Sequence, residues 1–223
     1  MSKKALLLIG SPKGEKSTSH SLGSYLTGRL SDLGVGIDKL TLVPTIKTED
    51  GIATLLSKVN DADIIILASP LYVDQFPSFV IRSMELIYEH KKALNAPKKQ
   101  RLLAIVNCGF PEATQIQCAS AISRHFALRS GMEWAGCLSV GMGPAIRGEP
   151  LYSAGEMVNN LAKGLMLTAE ALVDDKPVPV EAISLVSKPF MPLSIYTDIA
   201  NRNFDNIAKA TGILDKMGDK PYG

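Results

Sequence analysis

The stretch ALLLIGSPKGEKSTSHSLGSYL at residues 5–26 decides the fold, because three different kinds of segment follow one another within it. An apolar run at 5–9 predicts a short strand, and apolar residues at helical spacing over 18–33 predict a helix. Between them lies a loop of small, hydroxyl and lysine residues. A strand that passes through such a loop into a helix presents backbone N–H groups there, which favours the binding of an anion such as phosphate.

The same alternation of short apolar runs and helical segments continues along the chain. Beyond the first strand and helix, it predicts strands at 35–42, 63–68, 101–107 and 133–140, and helices at 50–60, 77–92, 114–131 and 153–174. The sequence SAGE at 153–156 is typical of a capping box, in which Ser153 and Glu156 begin the last of these helices. Five strands alternating with five helices predict an α/β, doubly wound domain with a parallel sheet, with ligands at the carboxyl ends of the strands.

Residues 176–223 break this alternation, so the chain is predicted to hold a domain at 1–175 followed by an extension. The extension contains several prolines and two short amphipathic stretches, at 193–201 and 203–211, which predict a helical structure. Its many apolar side chains need a surface to cover. That surface is either its own domain or a second copy of the chain.

Composition restricts the possible functions. Apolar residues make up 46% of the chain and charged residues 21%, which is typical of a globular protein. The net charge of +2 and the dispersed basic residues argue against a nucleic-acid partner. Three cysteines without C-x-x-C spacing argue against a disulfide framework and a zinc or iron–sulfur site, and for a reducing compartment. No apolar run reaches the length of a membrane span and no signal-peptide pattern is present, so a cytoplasmic protein is expected.

The loop after the first strand carries the strongest signal for a ligand. Its lysines add positive charge, and its hydroxyl residues either donate to a phosphate or cap the next helix. A cap needs one hydroxyl residue and no lysines, so phosphate binding is the favoured interpretation. The absence of G-x-G-x-x-G and Walker patterns, and of an acidic residue closing the second strand, argues against a dinucleotide-binding Rossmann site. The residues of this predicted anion site are Lys13, Lys16, Ser17, Thr18 and Ser19.

Two further strand ends have unusual loops. SPLYVDQFP at 69–77 places a tyrosine and a phenylalanine after a Ser-Pro strand end, which suits a flat ligand or, equally, an ordinary loop with core aromatics. NCGFPEATQ at 107–115 offers Gly109 for close approach to a ligand, or a plain turn before a helix capped by Thr114. Cys108 has no histidine beside it in sequence and is interpreted as a buried thiol rather than a nucleophile. The three histidines are scattered along predicted helices, so no catalytic side chain and no metal site is predicted.

Taken together, GSPKGEKSTS, SPLYVDQFPSFV and NCGFPE resemble the strand-end loops of the flavodoxin-like NAD(P)H-dependent FMN reductases and quinone reductases. The resemblance covers residues 4–174 and implies a five-stranded sheet in the order 2-1-3-4-5. It also implies an FMN whose phosphate lies in the first loop and whose isoalloxazine lies between the second and third loops. The implied cofactor-binding residues are Ser11, Lys13, Ser17, Thr18 and Ser19 at the phosphate, Pro70, Leu71, Tyr72 and Val73 beside the flavin, and Asn107, Cys108, Gly109 and Phe110 in the third loop.

The function that this resemblance implies is an FMN-dependent oxidoreductase. It would take hydride from NADH or NADPH and pass electrons to a small acceptor such as a quinone, a flavin, an azo compound or a nitro compound. Arg124, Arg129 and Arg147 are all available for the 2′-phosphate of NADPH, and none of them stands out. The alternative is a flavodoxin-type electron carrier, or a flavin-binding protein without its own NAD(P)H turnover. Such carriers are strongly acidic, whereas this chain has 24 basic and 22 acidic residues.

The chain departs from these relatives in two respects. It lacks the cysteine cluster of the iron–sulfur flavoproteins, and it carries the extension at 176–223. The relatives are often homodimers with the flavin near the interface, so the extension is expected to pack across a dimer or, alternatively, to cover its own subunit.

Overall fold

A computed structural model describes residues 2–94 and 98–220. The predicted domain (1–175) and the predicted extension (176–223) therefore each include residues that lie outside the described ranges. The sheet of the described residues consists of β1 (Lys4–Ile9), β2 (Gly36–Thr41), β3 (Ile64–Pro70), β4 (Arg101–Asn107) and β5 (Glu133–Val140). All neighbouring strands are parallel and lie in the order β2-β1-β3-β4-β5. The doubly wound α/β fold and its strand order, as predicted, are confirmed.

The helices of the described residues alternate with these strands and then continue beyond the sheet. They are α1 (Thr18–Asp32), α2 (Leu42–Thr45), α3 (Glu49–Asp61), α4 (Ser78–Lys92), α5 (Gln117–Arg129), α6 (Asn159–Val173), α7 (Val180–Val186) and α8 (Leu193–Thr211). The predicted helix at 114–131 is divided, because Ala113–Ile116 forms a 3-10 turn before α5. No side-chain hydrogen bond caps that turn, so Thr114 is not the cap that the sequence offered as one interpretation.

The central strands are buried on both sides. Every residue of β3 and β4, and every residue of β1 after Lys4, is buried, because helices cover both faces of the sheet. The edge strand β2 has no fully buried residue, and its burial does not alternate along the strand as its sequence pattern predicted. With both faces covered, the loops that follow the strands meet at the carboxyl edge of the sheet.

The predicted capping box at 153–156 is wrong. Leu151–Val158 is a 3-10 segment, and within it Gly155 has φ 62° and ψ −149°, a conformation that no helix contains. The regular helix α6 begins only at Asn159, after a residue whose side chain makes no capping hydrogen bond. Ser153 and Glu156 therefore precede the helix that they were predicted to begin, because Gly155 bends the chain between them.

The first compact unit of the chain runs to Lys188, so the start of the predicted extension packs with the domain. Two cations at the amino edge of the sheet hold the connection after α6. The Nζ of Lys3 donates to the carbonyl of Val173 at 2.6 Å and lies 2.7 Å from the carboxylate of Asp175. The guanidinium of Arg101, buried at the start of β4, donates to the carbonyl of Lys176 at 2.7 Å.

The second unit begins at Pro189 and contains α8 and a 3-10 turn at Leu214–Lys216. The two amphipathic stretches predicted at 193–201 and 203–211 are one continuous helix, α8. A single helix forms because no proline or glycine interrupts the chain between them. Its large apolar side chains lie on one side and are largely exposed: Leu193, Ile195, Ile199, Phe204 and Ile207.

We expect Gly164→Ala to lower the free energy of unfolding by about 1–3 kcal/mol, because it overpacks the contact between α6 and α7. A Cβ at Gly164 would lie 2.6 Å from the Cγ2 of Val186 and 2.8 Å from the carbonyl oxygen of Ala182. The matched control is Gly28→Ala in α1, where a Cβ meets no atom within 4 Å. That control is expected to gain about 0.5–1 kcal/mol from helix propensity.

Urea denaturation followed by circular dichroism measures both variants. Equal stability of Gly164→Ala and the unchanged protein would show that α7 does not pack on α6 at this position.

Candidate functional site

The loops after four strands meet in one cavity of about 380 Å³ at the carboxyl edge of the sheet. The volume lies within the range of small-molecule sites, about 300–1,000 Å³. The loops after β1, β3 and β4 were predicted to form the site. All the predicted cofactor-binding residues line the cavity except Val73 and Phe110. The lining residues are Ser11, Lys13, Lys16, Ser17, Thr18, Ser19, Pro70, Leu71, Tyr72, Asn107, Cys108, Gly109, Pro144, Arg147 and Gly148.

The loop after β1 is shaped by a single 3-10 turn, Gly14–Lys16, that leads into α1. Ser17 is extended and caps α1, because its Oγ accepts the N–H of His20 at 3.1 Å. The same hydroxyl donates to the carbonyl of Gly14 at 2.6 Å. Ser17 therefore has the capping role that was the alternative interpretation of this segment. The N–H groups of the first helical residues, Thr18 and Ser19, have no intrahelical acceptor, as at any helix start.

The next two hydroxyl groups tie this loop to other loops. Thr18 Oγ1 donates to the carbonyl of Gly143 at 2.9 Å, and Ser19 Oγ donates to Oδ1 of Asn107 at 2.8 Å. Both hydroxyl groups therefore donate to protein acceptors and are not free to donate to a ligand in the cavity. An anion bound here would instead accept hydrogen bonds from the backbone N–H groups at the start of α1 and from the cationic side chains.

A fourth loop, residues 141–150 after β5, closes the cavity, and sequence reasoning missed it. A 3-10 turn at Gly143–Ile146 lies between two residues with left-handed backbone, Met142 (φ 54°) and Arg147 (φ 56°). Gly148 packs so closely on the first loop that a Cβ there would lie 2.4 Å from the carbonyl oxygen of Lys16. The available signal was the run GMGPAIRG, three glycines directly after the fifth strand.

Positive charge dominates one end of the cavity. Lys13, Lys16 and Arg147 are exposed, and no acidic residue is found among the described residues that line the cavity. None of the three forms an ion pair with a carboxylate in the described part of the chain. Three unpaired cations beside a helix N-terminus form a site suited to a phosphate group.

The uncharged part of the cavity is lined by the loops after β3 and β4. The N–H of Leu71 donates to the carbonyl of Asn107 at 2.8 Å, which holds the two strand ends together. Tyr72 and Gln75 then exchange two backbone hydrogen bonds across a tight turn. Val73 lies at the tip of this turn with φ 49° and is 96% exposed, which explains why it does not line the cavity.

The two aromatic residues predicted in the loop after β3 have different surroundings. Phe76 is only 4% exposed and belongs to the core, as the alternative interpretation had it. Tyr72 lines the cavity and is 45% exposed, so part of this aromatic side chain is accessible to a ligand. In the loop after β4, Phe110 is 51% exposed and stands outside the lining residues.

Cys108 lines the cavity as a buried thiol. Its Sγ lies 3.6 Å from the carbonyl oxygen of Phe110, and burial raises the pKa of the thiol above its ordinary value. A thiol with a raised pKa is protonated at neutral pH and is a weak nucleophile. The interpretation of Cys108 as an apolar packing group agrees with this environment.

Residues 2–94 and 98–220 contain no cluster of histidine, cysteine and acidic side chains that could hold a metal ion. None of the helices in these ranges combines the length and the apolar character that a membrane crossing requires. His20, His90 and His125 all lie outside the lining of the cavity.

Several solved structures share this fold. An NADH:FMN oxidoreductase (EMOB, apo form) has a TM-score of 0.59 and 12% identity, covering 86% of this chain and 97% of its own. An FMN-dependent NADH-azoreductase from Bacillus anthracis has a TM-score of 0.53 and 14% identity, covering 77% and 100%. A flavodoxin from Streptococcus pneumonia TIGR4 has a TM-score of 0.52 and 19% identity, covering 77% and 99%.

No family model matches the chain, and no curated protein matches its sequence. The TM-scores of 0.52–0.59 show that these solved structures share the fold of this chain, and at sequence identities of 12–19% they show the fold alone. The resemblance noted in the three loops is confirmed at this level: the chain has the flavodoxin-like fold that is also the fold of an NADH:FMN oxidoreductase, an azoreductase and a flavodoxin.

Proposed function

We propose that this protein is an FMN-dependent oxidoreductase that takes hydride from NADH or NADPH and passes the electrons to a small acceptor. The observation that carries the proposal is the single cavity in which a cationic end adjoins an uncharged part beside Tyr72. FMN has the matching chemistry, a phosphate dianion joined through a short chain to a flat ring system. Solved proteins of the same fold include an NADH:FMN oxidoreductase and an FMN-dependent azoreductase, which supports the proposal.

The phosphate would be held by the start of α1 and by the three cations around it. Lys13 and Lys16 come from the loop after β1, and Arg147 faces them from the loop after β5. Because these side chains have no carboxylate partner among the described residues, they bring net positive charge to the phosphate. Charge-assisted hydrogen bonds of this kind are stronger than neutral ones.

The isoalloxazine would lie in the uncharged part, which the loops after β3 and β4 line. Backbone around Pro70 and Gly109, together with the ring of Tyr72, forms walls on which a flat ring can rest. Bound FMN supplies the hydride and electron-transfer chemistry, and the protein orients it. Hydride transfer to the flavin needs no acid or base from the chain.

The acceptor in this proposal is a small molecule such as a quinone, a free flavin, an azo compound or a nitro compound. The alternative function, a flavodoxin-type carrier that is reduced only by another protein, has support from the flavodoxin of the same fold. The balanced charge of 24 basic and 22 acidic residues favours the enzyme, because carriers dock on basic partners through an acidic surface. The enzyme is further proposed to work in the cytoplasm.

We expect the double variant Lys13→Gln/Arg147→Gln to bind FMN about tenfold more weakly, since both lost charges are exposed and partly screened. Riboflavin, which lacks the phosphate, should bind the variant and the unchanged protein equally. Lys47→Gln, an exposed lysine outside the cavity, is the matched control and should change neither affinity. Fluorescence titration with both flavins measures the effect. An equal loss for FMN and riboflavin would contradict the placement of the phosphate.

We expect the FMN-loaded protein to be bleached under anaerobic conditions by NADH or NADPH alone, without an added reductase. Absorbance near the flavin maximum follows the reaction, and oxidised quinone, added afterwards, should restore the colour. A carrier would keep its colour with both nicotinamides and lose it only when a second reductase is added. That outcome would exclude the enzyme and favour the alternative function.

The protein is also proposed to be a homodimer, because α8 exposes its apolar side, including Ile199, Phe204 and Ile207. A self-complementary contact between two copies of a chain is the commonest kind of dimer interface, and this side of α8 would form it. Phe204→Lys and truncation after Lys188 are therefore expected to give monomers by light scattering. FMN binding should persist in both, because every residue lining the cavity precedes residue 149. Dimers that survive both changes would exclude α8 as the interface.

A further inference from the structure

β5 is the last strand of the sheet, and its outer edge has no partner strand among the described residues. A cavity of about 600 Å³ opens along this edge, between α5 on one side and Ile183 of α7 on the other. We refer to this second cavity as the β5 groove. None of the residues that line it lines the first cavity, so the two are separate sites.

The first part of this edge is covered by the connection that leads to α7. The N–H of Val178 donates to the carbonyl of Ala135 at 3.2 Å. A Cβ at Gly136 would lie 3.2 Å from the Cβ of Val178, so the connection packs closely there. Pro177 and Pro179 flank Val178 and have no N–H, so they cannot donate further hydrogen bonds to the strand. Beyond Gly136 the edge opens into the groove.

The open part of the edge carries backbone groups that point away from the sheet. In a strand, the N–H and C=O groups of successive residues point alternately to the two edges. The carbonyl of Val140 accepts the N–H of Cys108 and therefore faces the β4 side. The backbone groups of Ser139 and Cys137 face the opposite edge, where both residues line the groove. Within the described ranges, no residue outside the sheet forms a backbone hydrogen bond with either of them.

The side chains beside this edge are uncharged. The Sγ of Cys137 lies 3.7 Å from the Oγ of Ser139, so these two side chains share one face of the strand. Trp134 is half-buried in the groove, and Leu128 of α5 is 56% exposed there. Charged residues and prolines commonly protect edge strands from pairing, and residues 134–140 of β5 contain neither.

The charge of the groove comes from α5, whose sequence contains two arginines and a histidine but no acidic residue. Arg124 and His125 are exposed and line the groove. In the part of the chain that the structure describes, Arg124 pairs with no carboxylate. A carboxylate supplied by a ligand would therefore be complementary to this wall.

We propose that the β5 groove binds an extended segment of a partner protein, which adds to the sheet as a further strand by pairing with Cys137 and Ser139. An acidic side chain of this segment faces Arg124. An apolar side chain on the same face of the segment contacts Trp134. The inference does not depend on the proposed flavin function.

A second copy of the chain fits this edge less well than an acidic segment does. Two-fold pairing of β5 with its copy would place two α5 helices on the same side of the joined sheet. Neither helix has an acidic residue to pair with the arginines of the other. Like charges brought together at an interface oppose association.

The first experiment uses calorimetry to titrate the purified protein with two capped peptides. They are Thr-Val-Thr-Glu-Thr-Val (the glutamate peptide) and Thr-Val-Thr-Lys-Thr-Val (the lysine peptide), in which the threonines face one side and the other residues face the opposite side. We expect Arg124→Glu to bind the glutamate peptide at least about tenfold more weakly than the unchanged protein does, and the lysine peptide more tightly.

The matched control is Arg129→Glu, which makes the same change on α5 at an exposed position that does not line the groove. It should alter the affinity for either peptide by less than about twofold. Circular dichroism melts verify that both variants are folded.

A second experiment tests the backbone pairing. N-methylation of the threonines removes the N–H donors along one edge of the glutamate peptide, and N-methylation of the other residues removes those along the opposite edge. Addition of the peptide as a strand requires that one of these two modified peptides binds and the other does not. Amide hydrogen exchange, followed by NMR, should slow at Cys137 and Ser139 when the unmodified glutamate peptide binds.

The proposal is overturned if the unchanged protein binds the glutamate peptide no more tightly than about 1 mM. It is also overturned if Arg124→Glu and Arg129→Glu bind this peptide alike, or if both N-methylated peptides bind equally well. Protection of the Cys137 and Ser139 amides that rises with protein concentration in the absence of peptide would show that a second copy occupies the groove instead. A failure to bind FMN would leave all of these outcomes unchanged, because the two cavities share no residue.

Discussion

Burial of a parallel sheet on both faces is the constraint on which the rest of this structure depends. β3 and β4 have no exposed residue, and β1 has one, so no ligand can approach the middle of the sheet. Polar loops are confined to the two edges where strands begin and end. The strand order reverses between β1 and β3, and helices leave in opposite directions from this point. A crevice at the carboxyl edge follows from the topology before any particular side chain is considered.

What this chain adds to the topology is a set of ties between the loops. Ser19 bonds to Asn107, Thr18 to Gly143, and Ser21 donates to the carbonyl of Glu149 at 2.5 Å. The first turn of α1 therefore holds the loops after β4 and β5 in place. A cavity whose walls are bonded to one another loses less entropy when a ligand binds, because its loops are already ordered. The hydroxyl-rich sequence after β1 builds the cavity as well as lining it.

The parts of the structure that follow from local pattern were predictable from the sequence. Buried strands give uniform apolar runs, and the loops that follow them were located because small, cationic and hydroxyl residues are conspicuous there. The parts that depend on backbone conformation were not predictable in this way. Val73 was expected beside the flavin, but the positive φ at the tip of the turn carries it into solvent. Gly155 bends the chain inside the expected capping box, and the contact of Gly148 with Lys16 joins residues far apart in sequence.

The contacts that Lys3 and Arg101 make at the amino edge of the sheet have a consequence for attaching the protein to a surface. Lys3 and Arg101 fix the connection after α6 at the edge where the strands begin, opposite the cavity. A linker joined before residue 2 would leave the domain at that far edge. Protein immobilised on a sensor or an electrode through its amino end would thus present the crevice to the solution. Attachment through the residues after Lys188 would instead bring the exposed apolar side chains of α8 against the surface.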